Sequence, residues 1–416
     1  MPLTESLRLK LLWLFLAVSA FASIEPSPYE AMFFVCLLAF ARGGLVFDAS
    51  LSPLVLVLLV FDAAGLVALI PYANESESVS FTFVTIYISF TTILFATLTA
   101  GNSLERMKWL RSGYVFAGVL AAILGLLGYF NIAGLSPYFT LYEGGRASGP
   151  FKDPNVFGPF LVAPIGWLCQ DLLLKRGSTL RSVVFLLIML LAVFLSFSRG
   201  ALIDSLLTLL LVMGLTFLTS DSARLRRRVV TSAIAGVVLV AAMLTLALSV
   251  PSIREVAMER ATLVEDYDAG EQGRFGNQIR SIPMLLERPL GFGPFRFAHY
   301  FPADPHEVFL SAFASFGWVG GIAFAVFVAL TLYVGIVFAF RRARAQTEFI
   351  GVFAAMLPQL FQGVQIDTIH WRHLFLLIGC LFGLAAAAQR ENRAEAVSRP
   401  SPEPGASADL RALPAP

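Results

Sequence analysis

Charged residues are scarce in this chain. Only 14% of its 416 residues are charged while 57% are apolar, and the mean hydropathy is +0.76. Soluble domains carry about 25% charged residues, so this composition excludes an ordinary soluble protein. The formal net charge of +2 is too close to zero to indicate a nucleic-acid partner. The composition therefore predicts a protein that resides in a lipid bilayer.

Cysteine is also scarce. The three cysteines, Cys36, Cys169 and Cys380, each lie inside an apolar run. In such surroundings a cysteine behaves as a small hydrophobic residue. We therefore expect neither a disulfide bond nor a thiolate metal site.

Long apolar runs, in contrast, recur from residues 11–24 to residues 374–388. They predict an all-α, polytopic integral membrane protein of about twelve transmembrane helices, each near the ~20 residues that cross a bilayer. Helices 1–9 occupy residues 1–250, and helices 10–12 occupy residues 317–389. Between them lies one large loop with helical segments, 251–316, and residues 390–416 form a disordered tail. The predicted spans are 9–24, 31–48, 53–71, 80–100, 113–130, 156–174, 182–198, 201–219, 229–250, 317–340, 348–365 and 373–389.

Lys and Arg are concentrated in alternate loops. Short cytoplasmic loops are enriched in these residues, whereas the opposite loops 25–30 and 72–80 contain none. Both termini are therefore predicted to face the cytoplasm, and segments 131–155, 251–316 and 367–372 to lie on the outer side. The basic residues that indicate this are Arg106, Lys108, Arg111, Lys175, Arg176, Arg181, Arg224, Arg226, Arg227, Arg228, Arg341, Arg342 and Arg344.

The N-terminus permits a second interpretation. Arg8, Lys10, the apolar stretch after them and Ala20-Phe21-Ala22 resemble a secretory signal with its cleavage site. Cleavage would remove the first helix. The topology of the other helices is the same in both cases, because the next helix starts from the outside.

Arginines on the predicted outer side are the first candidates for chemistry. Arg199 joins two apolar runs almost without a loop, at the membrane edge, where a charge is costly unless it is paired. Arg274, Arg280 and Arg288 lie in glycine-containing stretches of the long segment, where backbone can approach a ligand and guanidinium groups can bind phosphate oxygens. Together they predict an anion site. The alternatives are an arginine that reaches lipid headgroups, and loop arginines that pair with Glu265, Asp266, Asp268 and Glu271.

His306 is the candidate for proton transfer. A helix is predicted to begin just after Pro305 and to place His306 in its first turn, at the outer surface. Histidine is the side chain best suited to move a proton near neutral pH. His299, His370 and His373 also fall on the outer side, and this asymmetry favours a site there over a purely structural His306.

Three short motifs follow one another along the chain. Segment 146–155 contains Gly149-Pro150 and ends in Pro154-Asn155 before a membrane helix. Arg199-Gly200 is followed by Ile203 after a short interval. His306-Glu307 is followed by nine residues, then Gly317, two residues and Gly320.

In order, spacing and outer placement these motifs resemble the O-antigen ligase and polymerase superfamily of bacterial envelope enzymes, over most of the chain. The ligases have Leu where Ile203 stands here. They usually have Asn, Ser or Gln where Glu307 stands, and this departure leaves the partner or substrate of His306 open.

The resemblance implies a GT-C-like fold in the bacterial inner membrane with its active face in the periplasm. It implies transfer of a glycan from a polyprenyl pyrophosphate to a hydroxyl of lipid A-core, with inversion and without a metal or other cofactor. His306 would be the base, and Arg199 and Arg274 would stabilise the departing pyrophosphate. The residues that would bind the donor pyrophosphate or glycan are Lys152, Asn155, Arg280, Arg288 and Arg146.

Other functions stay open at this point. A polymerase of the same superfamily would add the glycan to a growing chain, for O-antigen or exopolysaccharide. Asp266-Tyr267-Asp268 has the Asp-X-Asp form with which many glycosyltransferases hold a divalent ion. A lipid-linked glycan flippase or other transporter could line a path with intramembrane polar residues, although the chain shows no repeated halves. Those polar residues are Arg42, Asp62, Asp204, Gln359, Gln362 and Gln365, of which the three glutamines also suit helix-to-helix hydrogen bonds.

Overall fold

The apolar runs form long helices, because in lipid every backbone polar group must be satisfied within the segment. The computed structural model describes residues 4–24, 26–141, 145–259, 273–302 and 304–398. The only sheet in this described part pairs β1 (Thr140–Leu141) with β2 (Arg146–Ala147), antiparallel, with Thr140 opposite Ala147. The helices are α1 Glu5–Ala17, α2 Pro28–Ala41, α3 Ser52–Leu69, α4 Ser76–Thr99, α5 Ser103–Tyr129, α6 Ser136–Phe139, α7 Pro154–Leu174, α8 Thr179–Leu195, α9 Arg199–Thr219, α10 Ala223–Leu248, α11 Pro251–Glu259, α12 Arg274–Leu286, α13 Val308–Ala339, α14 Gln346–Gln362 and α15 Arg372–Ser398.

Eight helices of the described part are long and apolar enough to cross a membrane: α3, α4, α5, α7, α9, α10, α13 and α15. The chain is therefore an all-α, multi-pass membrane protein, as predicted. The other four predicted spans correspond to α1, α2, α8 and α14, which have 13, 14, 17 and 17 residues. The total of twelve spans stays a prediction.

The basic loops predicted on one side do lie together at one end of the helix bundle. Arg106, at the start of α5, donates to the carbonyls of Gly44 and Leu98 and forms an ion pair with Glu5 at 3.2 Å. Arg390, near the end of α15, donates to the carbonyl of Ala100. Both described chain ends are therefore at this end, which we call the basic end.

Buried ion pairs join three helices near the same end. Arg111 of α5 pairs with Asp171 of α7 at 2.6 Å and with Glu348 of α14 at 2.7 Å, and Arg176 also contacts Glu348 at 2.6 Å. The buried Arg111 and the exposed Arg176 thus compensate Asp171 and Glu348. Removing one partner would leave an uncompensated buried charge, which costs about 3–5 kcal/mol.

One predicted boundary is wrong. Residues 390–398, predicted as part of a disordered tail, are the last turns of α15. The helix continues because its basic residues have partners: Arg390 bonds to Ala100, and Arg393 lies 3.6 Å from Asp48. The remainder of that tail, 399–416, lies outside the described residues.

Helix α13 is kinked at Gly317. The span predicted at 317–340 belongs to a helix that begins nine residues earlier, at Val308, and that contains Gly317 with φ +68°. At the kink the N–H of Trp318 donates to the carbonyl of Pro289 at 2.9 Å. A Cβ added to Gly317 would lie 2.2 Å from that carbonyl oxygen. Glycine therefore lets the outer segment pack directly on the helix backbone.

Gly317→Ala should destabilise this contact strongly. The positive φ alone costs a non-glycine residue about 1–3 kcal/mol, and the clash with Pro289 adds to it. We expect a lower melting temperature and a lower yield of folded protein, measured in detergent by fluorescence-detected size exclusion. Gly214→Ala is the matched control, because a Cβ there meets open space and φ is ordinary. Equal stability of the two variants would contradict the role given to the kink.

Candidate functional site

Six parts of the chain converge at the end of the bundle opposite the basic end. They are strand β2, the starts of α7, α9 and α12, the residues just before α13, and the end of α14. They enclose a cavity of about 230 Å³, which we call the arginine cavity. Five of the eight predicted site residues line it: Arg146, Asn155, Arg199, Arg274 and His306.

Arg199 is the first residue of α9. α8 ends at Leu195, and Phe197 has φ +48°, so the chain reverses within three residues. The Ser198 hydroxyl caps α9 by accepting the N–H of Ala201 at 3.5 Å. Gly200 follows Arg199, and a Cβ on Gly200 would lie 2.0 Å from the side-chain nitrogen of Gln362. Glycine after Arg199 therefore brings α14 against the start of α9.

Arg146 and Asn155 enter the cavity together. Arg146, on β2, donates through Nε to the carbonyl of Ser196 at 2.8 Å and through Nη2 to Oδ1 of Asn155 at 2.9 Å. Asp153 caps α7 by accepting the N–H of Asn155 at 2.8 Å. The β1–β2 hairpin thus holds a second guanidinium beside the start of α9.

Arg274, the first residue of α12, ties the long outer segment to the rest of the cavity. Its Nη2 donates to the backbone carbonyl of His306 at 3.1 Å and to that of Gln365. It therefore joins α12, the residues before α13 and the end of α14. The same guanidinium that faces the cavity also fixes the backbone of the candidate base.

His306 was predicted to lie in the first turn of a helix, but it precedes that helix. It has φ +46° and an exposed side chain, and α13 begins two residues later. The helix starts at Val308 because Glu307 is its N-cap, with carboxylate oxygens that accept the N–H groups of Phe309 at 3.1 Å and Leu310 at 2.6 Å. Burial raises the pKa of Glu307, and these two bonds oppose the rise.

This capping role gives a physical account of the departure at Glu307. The Asn and Ser that the ligases usually have at this position are common N-cap residues. Glu307 uses its longer side chain to bond the same kind of backbone donors. The position therefore orients the start of α13 behind His306.

The electrostatics of the cavity favour an anion. Three arginines and one carboxylate, Asp153, line it. α7, α9 and α12 all begin there, and helix N-termini add positive potential and unsatisfied N–H groups. Arginine side chains bind phosphate oxygens in a bidentate geometry.

The other three predicted site residues lie elsewhere. Lys152 is exposed and lines a larger neighbouring cavity. Arg280 donates to Asn277 at 2.6 Å and lies over the ring of Phe301, and Arg288 donates to the hydroxyl of Tyr300 at 2.9 Å. These last two arginines hold the outer segment together, so any part they have in substrate binding stays a prediction. Asp266 and Asp268 lie outside the described residues.

Sequence reasoning missed four polar lining residues: Asp153, Ser198, Gln362 and Gln365. Asp153 and Ser198 are the N-caps of α7 and α9. Both helices were predicted, so the N-cap pattern could have indicated these two residues. Gln359, Gln362 and Gln365 repeat every three residues toward the outer end of α14. This repeat was interpreted as helix packing, but its direction toward the outer side could have indicated the cavity.

Asp367 provides a pH-dependent element beside the site. It follows the lining residue Ile366, accepts the hydroxyl of Ser311 at 2.5 Å and accepts the N–H of Ile369 at 2.9 Å. Burial raises its pKa from 3.8 to about 6, against the effect of these bonds. The folded state therefore favours the neutral acid, and its contribution to stability is lost as the pH rises from about 4 to about 6.

Asp367→Asn should remove this loss of stability at rising pH. Asparagine is neutral at every pH and can keep both hydrogen bonds, because the serine hydroxyl can rotate to accept from the amide. We expect the variant to melt a few degrees above the unmodified chain at pH 7.5, with a difference that narrows below pH 4. Melting curves of the two proteins across this range check it. A difference that does not depend on pH would contradict the role of Asp367.

Residues 184–325, about a third of the chain, match a family model described as O-antigen ligase. The match runs from α8 into α13 and includes Arg199, Arg274, His306 and Gly317. No curated protein gives a significant match to the chain. Fold and site thus define a multi-pass membrane protein with an arginine-lined cavity at one end. The match supports the resemblance to O-antigen ligases and polymerases that the motifs indicated, and an enzymatic function of that general type.

Proposed function

We propose that the chain is an O-antigen ligase-type glycosyltransferase. It moves a glycan from a polyprenyl pyrophosphate carrier to a hydroxyl of lipid A-core, on the periplasmic face of the bacterial inner membrane. The observation that supports this most is the arginine cavity, in which three guanidinium groups and His306 line one space. An anionic leaving group and a base are the two requirements of this reaction.

The arginines act on the leaving group. In the reaction the bond between the anomeric carbon and the pyrophosphate oxygen breaks, and its electron pair stays on that oxygen. The negative charge on the leaving group therefore grows toward the transition state. Arg199 and Arg274 stabilise this charge more than the ground state, which lowers the barrier, and Arg146 and Asn155 hold the pyrophosphate.

His306 acts on the acceptor. The acceptor oxygen forms the new bond to the anomeric carbon from the opposite side, so the configuration inverts, and its proton passes to the neutral imidazole. The exposed side chain of His306 is accessible to a bulky acceptor. Because Arg274 bonds the backbone carbonyl of His306 at 3.1 Å, binding of the pyrophosphate and placement of the base are linked.

The surface of α12 supports access from lipid. Phe275, Ile279, Ile282 and Leu286 are exposed and recur on one face of this helix. An amphipathic helix of this kind lies in the membrane interface with its apolar face toward the acyl chains. Arg274 begins the same helix, so a pyrophosphate bound there could keep its polyprenyl chain in the bilayer.

Deletion of the gene in its host tests the proposal. A ligase defect leaves lipid A-core without O-antigen on a lipopolysaccharide gel, while the lipid-linked polymer accumulates. Core capped by a single repeat unit would instead identify a polymerase. Unchanged lipopolysaccharide and unchanged secreted polysaccharide would contradict both.

A chelator tests whether glycan transfer needs a divalent metal ion. We expect glycan transfer by the purified chain to continue in excess EDTA, because the arginines neutralise the leaving group. Loss of transfer in EDTA, with recovery on addition of Mg²⁺ or Mn²⁺, would favour the Asp266-Tyr267-Asp268 alternative.

A further inference from the structure

A second, larger cavity adjoins the arginine cavity. It has a volume of about 1060 Å³ and lies among the starts of α2, α4, α7 and α15. Asp153 lines both cavities, and Lys152 lines the larger one beside it. We call this space the aromatic chamber, after Tyr29, Tyr87, Phe160 and Trp371 in its lining. None of its residues is needed for the steps described above.

Three polar atoms of lining residues are buried without a hydrogen bond. The hydroxyls of Tyr29 and Tyr87 and Nε2 of His373 have no hydrogen-bond partner among the described residues, and Tyr29 and His373 are only 2% and 6% exposed. A buried polar group without a partner costs about 1–3 kcal/mol. Three such groups on residues that line one cavity point to a ligand that supplies the missing bonds.

Other polar groups of the same lining do have partners. The hydroxyl of Tyr114 donates to the carbonyl of Phe160 at 3.2 Å, and His370 shares a hydrogen bond of 2.8 Å with Thr85. Arg372 is held by Glu30 and by the hydroxyl of Ser27 at 3.0 Å. Within this comparison, the polar atoms that lack a hydrogen-bond partner are therefore those of Tyr29, Tyr87 and His373.

The charge of the lining selects against an anion. Three carboxylates, Glu30, Glu77 and Asp153, face two cations, Lys152 and Arg372, one of which is engaged by Glu30. A hydrocarbon chain would leave the Tyr29 and His373 atoms unpaired. A sugar fits both constraints, because its hydroxyl groups are uncharged donors and acceptors and its C–H faces pack on aromatic rings.

We propose that the aromatic chamber is a saccharide site that holds a sugar unit beside the arginine cavity, with hydrogen bonds to Tyr29 and His373. The inference rests on the proposed function for the identity of the sugar, which belongs either to the donor glycan or to the acceptor core. In both cases the chamber keeps the carbohydrate next to Asp153, at the boundary with the arginines. It thereby positions the carbohydrate for transfer.

Binding can be measured without turnover. The probes are two oligosaccharides from the bacterium that encodes the chain, released by mild acid from its lipopolysaccharide core and from its lipid-linked glycan. At least one should raise the melting temperature of the purified full-length chain. Tyr29→Phe should need about tenfold more of that probe for the same rise in melting temperature, because one hydrogen bond is lost.

Tyr114→Phe is the matched control. It removes a hydroxyl from the same chamber, but one whose bond goes to Phe160. We expect it to lower the melting temperature of the unliganded chain and to leave the probe dependence unchanged. Tyr29→Phe should do the opposite. It should leave the melting temperature of the unliganded chain equal or higher, and it should change the probe dependence. As an independent variant, Val84→Trp fills the chamber and should abolish the response to the probe.

The probe that responds identifies the source of the sugar. The donor oligosaccharide would assign the chamber to the donor, and the core oligosaccharide would assign it to the acceptor. The chamber proposal is overturned if neither probe stabilises the chain, or if Tyr29→Phe and Val84→Trp respond like the unmodified protein. Glycan transfer by the unmodified protein, measured separately, tests the proposed function, so the two failures are distinguishable.

Discussion

Arg199→Gln should lower kcat for glycan transfer by about 10²- to 10³-fold while the chain still folds, and Arg274→Gln should do the same. Each change removes a guanidinium from the arginine cavity, where charge develops on the leaving pyrophosphate. Arg199→Lys should recover only part of the rate, because an ammonium group keeps the charge and loses the bidentate geometry. Single-turnover transfer of radiolabelled lipid-linked glycan measures these rates.

Arg280→Gln is the control for these two variants. Arg280 is an arginine of the same outer segment, but its guanidinium bonds Asn277 and lies outside the arginine cavity. We expect less than a tenfold effect on kcat. Equal losses for Arg199, Arg274 and Arg280 would indicate a general dependence on outer positive charge. The assignment of the pyrophosphate to this cavity would then be wrong.

His306→Ala should abolish most of the glycan transfer, by about 10²- to 10⁴-fold, because the acceptor hydroxyl loses its base. The side chain is exposed, so added imidazole should reach the vacated space and restore part of the rate. Donor binding should persist, since Arg199 and Arg274 remain. Transfer to the core acceptor, with and without imidazole, is the measurement.

This variant also discriminates between classes of function. A flippase would continue to move lipid-linked glycan across the bilayer without His306. Glycan that reaches the periplasmic leaflet but is not transferred would support the enzyme. Undiminished transfer would exclude His306 as the base.

The sequence was sufficient to predict that several lining residues of the arginine cavity share one end of the bundle, for a physical reason. Arg199 and His306 were assigned to one side by counting basic loop residues, and helices that alternate across a bilayer bring every second loop to the same end. Arg146 and Asn155 were found from a motif. Their hydrogen bond, and the common cavity with Arg274, depend on how helix ends pack against one another, which periodicity does not encode.

The errors have equally specific causes. His306 was expected inside a helix because Pro305 suits a helix start, but the capping bonds of Glu307 move that start to Val308. Arg280 and Arg288 were grouped with Arg274 because they share a segment. Arg280 of α12 bonds Asn277, and Arg288, which follows α12, bonds Tyr300, so their part in substrate binding stays a prediction. The aromatic chamber combines residues from four distant helices, so no local pattern indicated it.

The ion pairs of Arg111 and Arg176 have a mechanical consequence. They clamp α5, α7 and α14 at the basic end, whereas the arginine cavity lies where α7 starts and α14 finishes. These helices are therefore held together at the basic end, and bending them displaces their ends at the arginine cavity the most. Spreading those ends would admit the bulky lipid-linked glycan of the proposed reaction, while the anchored end, which is predicted to face the cytoplasm, stays closed.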